Sequence, residues 1–71
     1  MNNNITCIII DDEPYVIRLL VETLKGLYDN IKVIGTYTAW KDAQYIMRNN
    51  KADIVFLDIS IEGKNGMDLL K

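Results

Sequence analysis

Three carboxylates stand where chemistry is easiest to build. Asp11 and Asp12 follow the apolar run Cys7-Ile8-Ile9-Ile10, and Asp58 follows the apolar run Ile54-Val55-Phe56-Leu57. If both runs are strands of one parallel sheet, all three acids lie beyond strand carboxyl ends, where open α/β sheets bind ligands at a switch in strand order. Carboxylates brought that close repel, and one takes up a proton unless a cation joins them. The chain has no histidine and a single cysteine, so the donors on offer are hard oxygens. Such donors favour magnesium, which is commonly held by one or two carboxylates with several waters. A carboxylate beside such an ion is a competent nucleophile toward phosphorus, and the product is an acyl phosphate. Taken singly, each acid has a plainer reading. Asp11-Asp12-Glu13 ahead of a helix complements its positive N-terminus, and a lone aspartate after a strand serves as a turn or cap residue. Matching positions on two strand ends are what favour a site.

The elements that would position these acids follow from the change of period along the chain. Ile5 to Ile10 is a short, β-branched, nearly continuous apolar run, as a strand covered on both faces requires. Pro14 suits the first position of a helix, where its missing N–H costs nothing. From Tyr15 to about Tyr28, Ile17, Leu20, Leu24 and Leu27 recur at helical spacing and predict one apolar face. Asp29-Asn30 signals a turn. Ile31 to Tyr37 predicts a second strand, more exposed at an edge because Lys32 interrupts it. Thr38 is suited to cap a helix that begins near Ala39, buries Ala39, Ala43, Ile46 and Met47, and ends at Asn49-Asn50-Lys51. Ile54 to Leu57 is the third strand, Ile59 to Asn65 a loop containing Gly63, and Gly66 to Lys71 the start of another helix.

The order β-α-β-α-β implies parallel strands joined by right-handed crossovers. With the first strand central, the second and third flank it and the acids converge. The pattern stops just after the third strand, which leaves that strand as an open, apolar edge. The expectation is a fragment of a larger domain, or a chain whose missing half comes from elsewhere, that self-associates through the exposed third strand or by exchange of halves.

Composition narrows the classes. Seventy-one residues make at most one small domain, and one cysteine cannot form a disulfide within the chain. The absence of histidine also excludes a zinc finger, which needs about four Cys or His ligands. A net charge of −2 with scattered Lys and Arg argues against a nucleic-acid surface. No apolar run approaches the roughly 20 residues of a membrane span, and the polar start Met1-Asn2-Asn3-Asn4 is unlike a signal peptide. A lone thiol without an export signal points to a cytoplasmic address.

On the stretches Ile8-Ile9-Ile10-Asp11-Asp12-Glu13-Pro14, Ala52-Asp53-Ile54-Val55-Phe56-Leu57-Asp58-Ile59 and Gly66-Met67-Asp68-Leu69-Leu70, the sequence resembles the N-terminal part of a response-regulator receiver domain of bacterial two-component signalling. The resemblance covers essentially the whole chain. It implies an α/β, flavodoxin-like parallel sheet of order 2-1-3-4-5, truncated here after the third strand and the start of the third helix. It implies that Asp58 accepts phosphate from a phosphohistidine on a sensor histidine kinase. It also implies Mg2+ held by Asp12, Asp58 and the backbone carbonyl of Ser60, with Asp11 acting through water. The Ser60 side chain would face the attacking water. DNA would be contacted only through a C-terminal effector domain, often one that controls transcription.

Two departures from the family pattern stand out. Glu62 occupies a position where the family usually has proline, either as a solvated loop residue or as an extra carboxylate that alters loop shape or metal affinity. The Ser/Thr switch residue and phosphate-binding lysine of a complete receiver are not assignable, and neither Lys64 nor Lys71 matches that lysine. Cys7 reads as a small core residue and Trp40 as packing at the domain face. Tyr15 reads as a kinase contact or a cover for the site.

Three other functions compete. A magnesium-dependent phosphohydrolase with an aspartyl nucleophile needs a second aspartate two residues on, where this chain has Ser60. A flavodoxin needs a first loop of Gly, Ser or Thr to hold phosphate on backbone N–H groups, and Asp11-Asp12-Glu13 would repel it. A non-phosphorylated interaction or dimerisation module using the same fold is compatible with every residue.

Overall fold

Alternation along one strand sorts the whole molecule into layers. A computed structural model describes residues 4–49, 51–58 and 60–65. In it β1 (Ile5–Ile10) is central, with β2 (Ile31–Tyr37) on one side and β3 (Ile54–Leu57) on the other, all parallel. Successive β1 side chains point to opposite faces. Cys7 and Ile9 pack with Ile17 and Leu24 of α1 (Pro14–Leu27), while Ile8 and Ile10 pack with Ala43 of α2 (Trp40–Asn49). A strand covered on both sides is apolar over its covered length, which is why Cys7 to Ile10 reads as an unbroken run.

The second strand solves a harder problem. Its register against β1 slips between Cys7 and Ile8, so that Cys7 faces Val33 but Ile8 faces Gly35. A one-residue slip reverses which face each later side chain occupies. Ile31 and Val33 therefore lie against the α1 side, whereas Tyr37 lies against the α2 side, although all three share odd numbers. Ile34, the bulged residue, is left exposed. The Tyr37 ring folds back over Gly35, and a Cβ there would meet the ring at 2.8 Å, so glycine is the residue that fits.

Helix α1 starts at Pro14 as expected, and Ile17, Leu20, Val21 and Leu24 form its inner face. Leu27 does not join them; it is 67% exposed in the last turn of the helix. At the other end of the strands, Thr6 and Asp53 clamp β3 to β1. The Thr6 N–H and hydroxyl donate to Asp53 Oδ2 at 2.9 and 3.2 Å, and the Asp53 N–H donates to the Thr6 carbonyl and hydroxyl oxygens at 3.0 and 3.1 Å.

After β3 the chain departs from the expected loop. Ser60–Ile61 (β4) and Lys64–Asn65 (β5) form a two-residue antiparallel hairpin closed by Glu62 and Gly63, with φ of 53° and 76°. Positive φ at both central residues is what the tightest hairpin turns require. So short a ladder is not stable by itself. Ile61 supplies the anchor: it is fully buried in the α2-side cluster with Ile8, Ile10 and Ala43. The helix start expected at Gly66 to Lys71 and the loop residue Ile59 lie outside the described residues. Among the described residues no helix is long and apolar enough to cross a membrane.

Candidate functional site

The parallel ladders run slightly past the strands, and this extension aims the acids. The Asp11 N–H donates to the Tyr37 carbonyl at 3.0 Å and the Asp58 N–H to the Ile10 carbonyl at 2.9 Å. Both residues are thus pinned at the carboxyl ends of neighbouring strands, with Asp12 one step beyond β1. One carboxylate oxygen from each of Asp11, Asp12 and Asp58 lies within 4.8 Å of the others, and all three residues are half-buried. The structure thus brings together three carboxylates from two separate strand ends.

Each carboxylate is oriented by a backbone N–H, and each N–H comes from a different place. Asp11 Oδ1 accepts from the Glu13 N–H at 2.9 Å, a local turn two residues long. Asp58 Oδ1 accepts from the Ser60 N–H at 3.2 Å. Asp12 Oδ2 accepts from the Glu62 N–H at 2.9 Å, across 50 residues of chain. Since each bond occupies one oxygen of a two-oxygen group, each acid keeps acceptor capacity for a ligand.

The acids are not consumed by the helix that follows them. The N-cap of α1 is Glu13, whose side chain makes no capping bond, and the first turn of the helix holds no acidic residue. The opening N–H groups of Val16 and Ile17 instead reach the Glu13 carbonyl at 3.0 and 3.3 Å. Three like charges at this separation repel by roughly 1 to 4 kcal/mol per pair, depending on how much water screens them. A divalent cation removes that cost. Oxygen donors alone, with the lone thiol of Cys7 buried inside β1, suit a hard ion such as Mg2+. Beside the acids lies a cleft of about 210 Å³, lined by Leu20, Phe56, Leu57, Asp11 and Asp58 among others.

The remaining candidates fall at different distances from this centre. Ser60 is exposed two residues past Asp58 and touches it through its N–H. Glu13 and Tyr15 are exposed, and Tyr15 packs in neither apolar cluster. Trp40 is half-buried against the α2-side cluster, and Cys7 is fully buried, which raises its thiol above the ordinary value by desolvation. Glu62 holds more of the site than its sequence context suggests. Besides its N–H on Asp12, its carboxylate accepts the N–H of Trp40, 22 residues earlier, at the first position of α2. No local pattern announces a cap that distant. The only hint is the Gly63 that follows and allows the tight turn.

The family model described as "Response regulator receiver domain" matches residues 7–71. The chain is similar to the Fimbriae Z protein of Salmonella typhimurium, 36% identical over 64 residues, covering 90% of this chain and 30% of that protein. It is also similar to a protein-glutamate methylesterase/protein-glutamine glutaminase of Clostridium acetobutylicum, 36% identical over 67 residues, with 94% and 19% covered. The transcriptional regulatory protein MalR of Bacillus subtilis is 32% identical over 66 residues, with 93% and 28% covered. The chain therefore spans about a third or less of the length of these curated relatives. No solved structure matches.

Proposed function

This chain belongs to the response regulator receiver domain family, and we propose that it is a phosphoacceptor: Asp58 takes a phosphoryl group from a phosphohistidine of a sensor histidine kinase. The observation that carries this reading is the meeting of Asp11, Asp12 and Asp58 within 4.8 Å at the ends of β1 and β3. In the reaction an Asp58 oxygen attacks phosphorus, the N–P bond of the phosphohistidine breaks, and the imidazole nitrogen keeps the electron pair and takes a proton. Asp12, Asp58 and the Ser60 carbonyl are assigned as protein ligands of Mg2+, with Asp11 acting through water. When bound, the ion offsets the charge of the carboxylates and of the phosphoryl oxygens. The Ser60 N–H holds Asp58 Oδ1 and leaves Oδ2 to act as the nucleophile. Glu13 and Glu62 N–H groups fix the other two carboxylates, so little reorientation is needed when charge builds at the site.

By this reading the chain is a signalling switch and not a turnover enzyme. Its output, such as control of transcription, is drawn from regulators like MalR, and a cytoplasmic address follows from the kinase partner. The test is labelling by acetyl phosphate in the presence of Mg2+. Wild type should gain one acid-labile phosphoryl group, and Asp58→Asn should gain none. Equal labelling of the two proteins overturns the assignment. A second reading, association of copies through β3, rests on one observation: among the described residues β3 pairs only with β1, and its Ile54 is exposed. Light scattering showing a monomer at high concentration would remove it.

A further inference from the structure

The hairpin after β3 touches both the acids and the start of α2. Its turn residue Glu62 donates its N–H to Asp12 Oδ2 at 2.9 Å, and the same residue's carboxylate accepts the N–H of Trp40 at the start of α2. On the far side of the turn, the Lys64 ammonium sits 5.8 Å from the centroid of the Trp40 ring. Ile61, fully buried among Ile10 and Ala43, fastens the hairpin so that it cannot swing as a free loop. We infer that Glu62 is a positioning residue that couples Asp12 to the N-terminus of α2, so that a divalent cation at the aspartates is felt at Trp40. This rests on the reading that the aspartates hold such a cation.

The coupling has a physical basis in the backbone. A carboxylate that gives one oxygen to a cation changes the strength and direction of the bond its other oxygen accepts. That bond comes from the Glu62 N–H, inside a two-residue turn whose φ angles of 53° and 76° leave little slack. Displacement of this N–H therefore moves the Glu62 carboxylate, which is the group that satisfies an otherwise orphan donor of α2. A proline at this position would have no N–H and a φ near about −65°, so it could neither reach Asp12 nor close the turn. The link is a property of this residue.

Trp40 is the only tryptophan in the chain, so its emission reports this one place. Binding is counted separately, by electron paramagnetic resonance of Mn2+ and its displacement by Mg2+. Wild type should show a Trp40 emission change on adding Mg2+, with the same midpoint as Mn2+ displacement. Glu62→Gln, which keeps an acceptor oxygen, should retain the change. Glu62→Gly keeps the N–H and suits the positive φ but lacks the carboxylate. It should still bind Mn2+ while most of its emission change is lost. In wild type, the Glu62 and Trp40 amide resonances should move together on Mg2+ addition, a measurement that needs no variant to fold. A full emission change in Glu62→Gly overturns the inference, as does a Trp40 amide that stays fixed while Glu62 moves. If wild type binds no Mn2+, the metal reading itself fails and takes the inference with it.

Discussion

The two faces of the sheet are built from the same strand but closed in different ways. On the α1 side, Cys7 and Ile9 meet Ile17 and Leu24, residues that follow them along the chain by one strand-to-helix step. On the α2 side, Ile8 and Ile10 meet Ala43 and then Ile61, which arrives from a hairpin beyond the third strand. The same hairpin carries the N–H that holds Asp12 and the carboxylate that holds Trp40. The α1 face meets the site only as packing, through Leu20 and Phe56 in the wall of the cleft, whereas the α2 face is tied to it by hydrogen bonds from the hairpin. A domain can keep its acids in register with the first and make them consequential through the second.

Truncation on each face is the sharpest way to break this comparison. Leu24→Ala and Ile61→Ala each remove a buried aliphatic side chain and should each cost about 2 to 5 kcal/mol in urea unfolding. Only the Ile61 change should also weaken Mg2+ binding, because it frees the hairpin that orients Asp12. Where Ile61→Ala leaves too little folded protein, Ile61→Val, at about 0.5 to 1.5 kcal/mol, asks the same question. Equal loss of Mg2+ affinity in the Leu24 and Ile61 variants would erase the distinction between the faces.

Smaller effects sharpen it further. Gly35→Ala places a Cβ 2.8 Å from the Tyr37 ring, which must move away from the α2-side cluster. A cost of about 1 to 2 kcal/mol is expected, with a change in near-ultraviolet circular dichroism from the displaced ring. No change in either measurement would mean that the ring is free and the bulge in β2 is not needed to place it. On the α1 face, Cys7 should resist thiol reagents until the protein unfolds. Because burial raises its folded pKa, the associated stability is complete below the ordinary value of 9.0 and declines as the pH climbs above it. Unfolding midpoints compared for wild type and Cys7→Ala across that alkaline range check the sign. A steeper alkaline loss in the alanine variant would contradict it.

Much of the fold was legible from period alone. Ile5 to Ile10, Ile54 to Leu57 and the two helices follow from apolar spacing, and Asp11, Asp12 and Asp58 announce themselves by standing at the ends of two such runs. These features rest on neighbouring residues and on covalent geometry, so a sequence carries them openly. The shift in β2 that sends Tyr37 across the sheet, the burial of Ile61 and the reach of Glu62 to both Asp12 and Trp40 are different in kind. Glu62 looks like an ordinary exposed acid in a turn, and Ile61 like a stray apolar residue in a loop. What Glu62 does depends on partners 22 and 50 residues away, and what Ile61 does depends on Ile8, Ile10 and Ala43; such contacts exist only once the strands have paired and the two helices have closed over them.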